Sequence, residues 1–525
     1  MNGARALIQT LVDGGVEVCF ANPGTSEMHV VAALDAVPRM RGVLTLFEGV
    51  ATGAADGYAR MADRPAATLL HLGPGLGNGL ANLHNARRAG TPVVNIVGDH
   101  ATFHKRYDAP LDSDLDAIAG TVSGWVRRCA SSAEIGQDVA AAIAAATGPP
   151  GRVATLILPA DVSWADAAAD AVGAPPGAVP AARRLRDTPG TGAVDTAAKA
   201  LGSGEPCLVL IGGEATRERG LHAAARIAAA TGARLLSETF PTRMERGAGL
   251  PPVARLGYLA DLAVHQLTGI RHLILAGAKR PVTFFGYPDK PSDLVPDGCQ
   301  VHEVAPRDGA ATAALEALAD LVASDVRAPD ATGSRPALPT GTLTADSAAA
   351  VVGALLPEGA IVVDEAITSG TGLAAATAGA PRHDWLTLTG GAIGYGLPAA
   401  TGAALACPDR PVWCLQADGS AMYTISALWT QAREGLDVTT VLYQNSAYAI
   451  LRLELTRVGA AAGGERARAL FDLGDPRLDF VQIAGGMGVP AVRAGAAEEL
   501  AAALHRAMAE PGPHLIEAVV PALVT

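Results

Sequence analysis

The sequence predicts an α/β protein made of three doubly wound parallel-sheet domains. Short apolar runs alternate with alanine-rich stretches along the whole chain, which is the pattern of buried parallel strands covered by helices. At 525 residues the chain is also too long for a single hydrophobic core. Two stretches rich in Pro, Ala and Gly, at 165–185 and 323–345, are typical of linkers. We therefore expect domains at 1–165, 185–323 and 345–525.

Each block carries its own predicted strands. In chain order they are GVLTLF, ATLLH, VVNIVG and VATLILP in the first block, CLVLIGG and HLILAGA in the second, and AIVVDE, VWCLQA and VTTVLYQ in the third. Helices are predicted for the N-terminal run MNGARALIQTLVDGG and for GVATGAADGYAR, which follows the strand GVLTLF. After VWCLQA, the segment SAMYTISALWTQAREG is predicted to continue as one helix.

The composition excludes several classes of protein. Hydrophobic residues make up 49% and charged residues 18%, which suits a compact globular protein and not a disordered chain. The net charge of −12 gives no electrostatic case for a nucleic-acid partner. The N-terminus lacks an apolar secretory core, so we expect a cytoplasmic protein. The uncharged stretch between Asp384 and Asp409 contains Pro398 and several glycines, and we interpret it as a buried loop and helix, not as a membrane span. The six cysteines are single and are expected to be buried, unreactive thiols.

The strongest chemical pattern lies between residues 418 and 445. Asp418 and Gly419 follow one apolar strand, and Asn445 follows the next strand along the chain. Parallel strands end at the same sheet edge, so the carboxylate and the amide become neighbours there. Oxygen ligands of this kind suit Mg²⁺, which commonly bridges to phosphate groups. Gly419 permits a close approach to the ligand, and Ser420 begins a helix whose N–H groups face an anion.

These residues resemble the signature of thiamine-diphosphate enzymes, which is Gly-Asp-Gly followed some two dozen residues later by Asn-Asn. The chain has Ala417-Asp418-Gly419 and Gln444-Asn445, so it departs from the signature at two positions. The resemblance covers essentially the whole chain, is weakest in the middle block, and is greatest to benzoylformate decarboxylase and to flavin-free relatives of acetolactate synthase. It implies a pyrimidine-binding, a central and a diphosphate-binding domain, in that order. It also implies that Asp418, Asn445 and the carbonyl of Ala447 hold Mg²⁺. The other residues that it implies at the diphosphate and thiazolium end are Gly419, Ser420, Thr368, Ser369, Tyr448 and Ile450.

The same resemblance assigns the pyrimidine end of the cofactor. Glu48 stands between a strand and the helix that contains Ala-Asp-Gly-Tyr-Ala-Arg, where the family has its activating carboxylate. For a Glu that stood alone, stabilisation of the helix start by its charge would be the simpler interpretation. In GGAIGYGLPAA, Ile393 matches the apolar wedge that bends the cofactor, and Gly391 matches the carbonyl that meets the pyrimidine amino group. The two half-sites fall on different domains, and relatives complete them between subunits, so a homodimer is the expected minimum and a homotetramer is favoured.

The substrate side resembles benzoylformate decarboxylase. The segment from Asn22 to Glu27 matches its substrate loop, in which Gly24 lies beside the cofactor and the hydroxyl that binds the substrate carboxylate falls on Thr25. His71 matches an active-site histidine; an ordinary strand-end histidine is the alternative. A second histidine of that enzyme is absent, because AGAKRPVTFFGYP has Phe284 or Phe285 at that point. Without that proton donor, we expect the intermediate formed from a 2-oxo acid to be captured by a second carbonyl compound, as in acetolactate synthase.

Several alternatives remain open at this stage. His100 and His104 either replace the missing proton relay or belong to a surface loop. A simple 2-oxo acid decarboxylase that releases an aldehyde is the second functional hypothesis. A catalytically silent regulatory paralogue is the third, although Glu48, Asp418 and Asn445 are all retained. GPGLGNG at 73–79 fails as a dinucleotide fingerprint because Asn78 occupies the position of its third glycine. The middle block lacks the flavin-contact segments of true acetolactate synthases, which argues against bound FAD.

Overall fold

The computed structural model describes residues 1–167, 191–288, 290–460 and 464–522. Most of the first predicted linker, 165–185, lies outside these residues. Three sheets organise the described chain, of six, five and seven strands. The prediction of an α/β protein with three parallel-sheet domains is confirmed. The residues 323–344 contain no helix or extended strand, and the next helix begins at Ala345.

The first sheet is entirely parallel and has the strand order β2-β1-β3-β4-β6-β5. Its strands are β1 Val18–Asn22, β2 Arg41–Leu44, β3 Ala66–Leu70, β4 Val93–Asp99, β5 Trp125–Arg128 and β6 Val153–Pro159. The helices of this part are α1 Gly3–Asp13, α2 Met28–Ala36, α3 Glu48–Ala62, α4 Leu72–Ala89, α5 Leu115–Gly120, α6 Ile135–Thr147 and α7 Ala160–Trp164.

The second sheet forms the centre of the chain and has the order β10-β8-β7-β11-β12. Its strands are β7 Cys207–Ile211, β8 Arg234–Ser237, β10 Ala254–Arg255, β11 His272–Ala276 and β12 Gln300–Ala305. Its helices are α8 Thr191–Leu201, α9 Glu218–Thr231, α10 Ala260–Leu267 and α11 Ala311–Val322. The strand β9 Met244–Arg246 also lies in this part of the chain, but it pairs elsewhere.

The third sheet has the order β17-β18-β16-β15-β13-β14-β9. Its further strands are β13 Ile361–Glu365, β14 His383–Thr387, β15 Val412–Ala417, β16 Val438–Gln444, β17 Ala491–Ala494 and β18 His514–Val519. Its helices are α12 Ala345–Leu355, α13 Leu373–Ala376, α14 Gly396–Ala406, α15 Asp418–Ala421, α16 Ala427–Glu434, α17 Ala449–Arg457, α18 Glu465–Ala469, α19 Phe480–Gly486 and α20 Ala497–Ala509.

Two details differ from the sequence analysis. The strand β9 joins the third sheet antiparallel to β14, so this sheet is not wholly parallel and includes a strand from the central part of the chain. The helix predicted over SAMYTISALWTQAREG is broken into α15 and α16, with turns over residues 422–426. The break has a tertiary cause, because the Thr424 hydroxyl donates to the carbonyl of Gly394 in another segment instead of facing solvent.

The first and third sheets share one hydrophobic core, and α3 packs directly against α14. Small residues make this crossing close. A Cβ on Gly402 would collide with the backbone oxygen of Ala54, and one on Gly57 would lie 2.6 Å from the Cα of Ala399. Since α3 begins at Glu48 and α14 follows the segment that holds Gly391 and Ile393, the crossing brings two predicted site segments together. Among the described helices, none has the length and hydropathy needed to cross a bilayer.

Candidate active site

Asp418 and Asn445 lie at the carboxyl ends of adjacent parallel strands, β15 and β16. The Asp418 carboxylate is 2% exposed and accepts hydrogen bonds from the backbone N–H groups of Gly419, at 2.8 Å, and Ser446, at 2.7 Å. Ser446 has a φ of 53°, which turns the chain sharply between Asn445 and Ala447. The strand ends therefore bring a carboxylate, an amide and the Ala447 carbonyl to one edge of the sheet.

The surroundings of Asp418 suit a metal ion. Burial raises the pKa of Asp418, and among the residues that the structure describes no basic side chain forms an ion pair with it. The same residues contain no cluster of three or more acidic, His or Cys side chains that could hold a metal. A metal at this edge would thus be bound by one carboxylate together with neutral oxygens and a phosphate-bearing ligand, and that donor set fits Mg²⁺.

The remaining residues predicted for the diphosphate end surround this edge. A Cβ on Gly419 would collide with the ring of Tyr448, so the close packing of these two residues requires glycine. Tyr448 precedes α17, on which Ile450 lies, and Ser420 is buried in α15. Thr368 and Ser369 belong to the 3₁₀ turn Ile367–Gly370, which packs against β15 and α17. The structure brings all of them to the end of the third sheet.

Glu48 is the first residue of α3 and is 7% exposed. Its Oε2 accepts a hydrogen bond of 3.0 Å from Nδ2 of Asn78 on α4. A Cβ on Gly75, one turn earlier in α4, would lie 3.3 Å from Oε1, so glycine keeps this side of the carboxylate open. The carboxylate is therefore held at one oxygen by an amide, and its other oxygen lies beside a residue that has no side chain.

The segment 389–396, which carries Gly391 and Ile393, is irregular backbone held by side chains from elsewhere. The Glu365 carboxylate at the end of β13 accepts from the N–H groups of Gly394, at 2.8 Å, and Gly396, also at 2.8 Å. Burial raises the pKa of Glu365, and these amides oppose that effect. The carbonyl of Gly394 accepts from Thr424 and from Asn82, so the segment is anchored to both outer domains.

Gly391 faces an aromatic ring of the central domain. Its φ is +74°, and a Cβ at this position would lie 2.7 Å from a ring carbon of Phe284. Phe284 also packs against Phe240, Tyr258 and Phe285. Ile393 packs against the core shared by the first and third sheets. The ring next to Gly391 is thus Phe284, one of the two residues that replace the expected histidine, and it offers no proton.

His71 forms a polar cluster with the loop after β1. Its Nδ1 lies 2.8 Å from Oε2 of Glu27, whose side chain is fully buried, and 3.2 Å from the Ser26 hydroxyl. The Gly24 N–H also donates to Glu27, and Gly24 packs flat against the imidazole. Thr25 begins the 3₁₀ turn Thr25–Glu27 and is exposed. The hydroxyl that contacts His71 in this loop is therefore that of Ser26, whereas Thr25 is exposed.

The rings of His100 and His104 are in contact, with centroids 5.5 Å apart and planes inclined by 55°. They lie in the loop after β4, next to a cavity of about 460 Å³. The cavity is lined by Lys105, Asp108, Asp112, Ser113, Asp114, Asp116 and Arg128. Ser113 packs against Gly73 at the start of α4, so the loop borders the segment that follows His71. This position keeps both of the earlier interpretations of the two histidines open.

Three side chains at the site were not assigned by the sequence analysis. Glu27 lies in the substrate loop, but its partner His71 is 44 residues away, and no local pattern reveals that contact. Glu365 likewise binds amides 29 to 31 residues further along the chain. Asn78 could have been found from the sequence, because asparagines recur at helical spacing at positions 78, 82 and 85. This spacing places the three side chains on one face of α4.

Comparisons with known proteins agree with this architecture. The family description "Thiamine pyrophosphate enzyme, N-terminal TPP binding domain" matches residues 1–118, and "Thiamine pyrophosphate enzyme, C-terminal TPP binding domain" matches residues 368–518. A Mycobacterium tuberculosis protein, provisionally named acetolactate synthase large subunit IlvX, is 67% identical over all of both chains. Benzoylformate decarboxylase of Pseudomonas aeruginosa is 31% identical and covers 96% of each chain.

A solved structure shares the fold. The thiamine diphosphate-dependent 4-hydroxybenzoylformate decarboxylase of Rhodococcus jostii RHA1 superposes with a TM-score of 0.84, at 23% identity, over 99% of each chain. The family matches and the two relatives show that the chain is an enzyme and belongs to the thiamine pyrophosphate enzymes.

Proposed function

We propose that this enzyme uses thiamine diphosphate and Mg²⁺ to decarboxylate a 2-oxo acid and to join the remaining carbon unit to a second carbonyl compound. The observation that carries the second half of the proposal is the Phe284 ring beside Gly391. An apolar ring at that point cannot donate a proton, so the carbon left after CO₂ departs stays reactive for longer. The provisional name of the M. tuberculosis relative agrees with this reaction class.

The residues of the chain divide the work between the two ends of the cofactor. Asp418, Asn445 and the Ala447 carbonyl would hold Mg²⁺, while Thr368, Ser369 and the start of α15 would hold the diphosphate. Ile393 and Gly391 would hold the pyrimidine end. Glu48, held at Oε2 by Asn78, exchanges a proton with the pyrimidine through its other oxygen. When bound, thiamine diphosphate supplies an electron sink next to the substrate carbonyl.

The substrate enters beside the loop after β1. In this proposal Thr25 binds the carboxylate of a 2-oxo acid. Its support is that Thr25 is exposed and belongs to the loop whose Ser26 and Glu27 contact Nδ1 of His71. The proposal includes a homo-oligomer, of at least two subunits, because Leu46, Met422 and Tyr423 expose apolar surface beside the site. Light scattering checks the subunit count.

The test is a product assay with thiamine diphosphate, Mg²⁺ and mixtures of 2-oxo acids and aldehydes, followed by NMR. Hydroxyketones or acetohydroxy acids are expected, and Glu48→Gln should lower their rate of formation by at least 10²-fold. The two variants Phe284→His and Phe284→Leu distinguish the effect of adding a proton donor from the effect of removing the aromatic ring. The histidine should divert product to free aldehyde, whereas leucine should keep the wild-type ratio. Unaltered turnover in Glu48→Gln would overturn the proposal.

A second candidate function is simple decarboxylation with release of an aldehyde. The His71–Glu27 pair favours it, because a histidine whose Nδ1 is held by a buried carboxylate can pass a proton through Nε2. The 31% identity to benzoylformate decarboxylase points the same way. If the wild-type protein released only aldehydes, this candidate would be established. His71 would then protonate the intermediate faster than a second carbonyl compound captures it.

A further inference from the structure

One face of α4 contacts both halves of the candidate site. His71, at the start of the helix, and Gly75, Asn78, Asn82 and Asn85 follow one another at steps of four and three residues. This spacing places them in a single stripe along the helix. The stripe therefore runs from the substrate histidine, past Glu48, to the segment that carries Gly391 and Ile393.

Each asparagine of the stripe has a separate task. Asn78 donates to the Glu48 carboxylate at 3.0 Å. Asn82 is 2% exposed and donates to two carbonyls at once, those of Gly49, at 2.8 Å, and Gly394, at 3.1 Å. One amide group thus joins the residue after Glu48 to the residue after Ile393.

Asn85 completes the row and is fully buried. Its Nδ2 donates to the Asn82 side chain, at 2.9 Å, and to the Ala392 carbonyl, at 2.8 Å, while its Oδ1 accepts from the Ala392 N–H. The neighbouring His84 ring reaches the Gly390 carbonyl at 3.2 Å. Between residues 390 and 394, side chains of α4 therefore bond backbone groups of Gly390, Ala392 and Gly394.

We infer that α4 is a positioning helix, in which Asn78 orients the Glu48 carboxylate and Asn82 with Asn85 sets the Gly391–Ile393 segment relative to it. This inference rests on the proposed function. A hydrogen bond to a charged group contributes more free energy than one between neutral groups. Because Asn78 donates to the Glu48 carboxylate, its loss is expected to act on proton exchange at Glu48. Loss of Asn82 removes the one side chain that bonds both the Gly49 and the Gly394 carbonyls, so it is expected to loosen the cofactor-bending segment and to act on cofactor binding.

The experiment needs no knowledge of the substrate. Wild-type protein and the variants Asn78→Ala, Asn82→Ala and Asn95→Ala are loaded with thiamine diphosphate and Mg²⁺, and the dissociation constant of the cofactor is measured by calorimetry. The exchange of the thiazolium C2 proton with deuterium is then followed by quenched-flow NMR. Asn95 is the matched control, since it is a buried amide of the same domain whose side chain bonds Thr68 and Thr155, away from the site segments.

Asn78→Ala should slow the exchange by about tenfold or more with little change in cofactor affinity. Asn82→Ala should weaken cofactor binding by about tenfold. Asn95→Ala should lower the melting temperature and leave both quantities unchanged. If Asn78→Ala and Asn82→Ala behave like Asn95→Ala, α4 has only a packing role and the inference is refuted. A wild-type protein that binds the cofactor but does not accelerate exchange would instead refute the proposed function.

Discussion

At the residue scale, the contact between Glu27 and His71 organises the proposed substrate side of the site. A carboxylate only accepts hydrogen bonds, so Glu27 keeps a proton on Nδ1 of His71 and leaves Nε2 to exchange protons with a bound molecule. Glu27 itself is fixed by the Gly24 N–H and the Ser26 hydroxyl. The histidine therefore has a defined tautomer and orientation before a substrate arrives.

Glu27→Gln tests this arrangement. The amide of glutamine can donate to Nδ1, which favours the other tautomer, so kcat for aldehyde release should fall by about 10²-fold. The KM for the 2-oxo acid should change little, because His71 is not the proposed carboxylate ligand. Steady-state kinetics checks whether kcat falls while KM stays nearly the same. Ser26→Ala removes a neutral contact of the same cluster and should have a smaller effect; equal losses in both variants would contradict the tautomer argument.

At the scale of elements, the crossing of α3 and α14 sets the distance between Glu48 and the Gly391–Ile393 segment. Both helices use glycine where they touch, and Ala54 and Ala399 are the residues opposite. The contact is backbone against backbone, so there is no flexible side chain to move aside.

Gly402→Ala is expected to force the two helices apart. It should lower the free energy of unfolding by about 1–3 kcal/mol and also weaken cofactor binding, since both helices carry site residues. Urea denaturation and cofactor titration measure the two effects. Gly485→Ala in α19 is the control, because a Cβ there meets no atom within 4 Å and should be neutral or slightly stabilising. Unaltered cofactor affinity in Gly402→Ala would show that the crossing does not set the site.

At the scale of the whole molecule, Asp384 joins the central domain to the third sheet. It is 4% exposed and lies 2.5 Å from Arg243, which lies between β8 and β9, and 2.7 Å from Arg410, which precedes β15. Burial tends to raise the pKa of Asp384, but the two arginines outweigh it and lower the pKa below its ordinary value of 3.8. Arg60 adds a second link, since its guanidinium reaches the carbonyls of Thr242 and Thr387.

Asp384→Asn should lower the free energy of unfolding at neutral pH by about 3 kcal/mol, because two partly buried arginines lose their anion. A carboxyl group with a lowered pKa stabilises the folded state above its ordinary pKa, and this stability disappears as the pH falls through the lowered value. The difference between wild type and variant should therefore be constant above about pH 5 and shrink below pH 4. Denaturant titrations across that range check it. A difference that grows towards acid would refute the assignment.

The sequence by itself determined the fold class and the ends of the strands that carry Asp418 and Asn445. It also determined the helix start at Glu48, and the family resemblance followed from these motifs. These features can be predicted from sequence because they depend on local periodicity and on short motifs. The proximity of Asp418 and Asn445 can be predicted as well, because parallel strands end at the same edge of a sheet. The family matches bear out the assignment to thiamine pyrophosphate enzymes. The individual site residues remain predictions that the proposed experiments address.

Only the tertiary structure decided which side chains hold the site in place. Asn82 and Gly394 are 312 residues apart, and nothing near either of them in the chain indicates their contact. The same holds for the break in the helix after Ala421, where Thr424 bonds the Gly394 carbonyl, and for β9, which pairs outside its own domain. Buried irregular backbone must find hydrogen-bond partners wherever packing brings them, and a one-dimensional pattern does not contain that information.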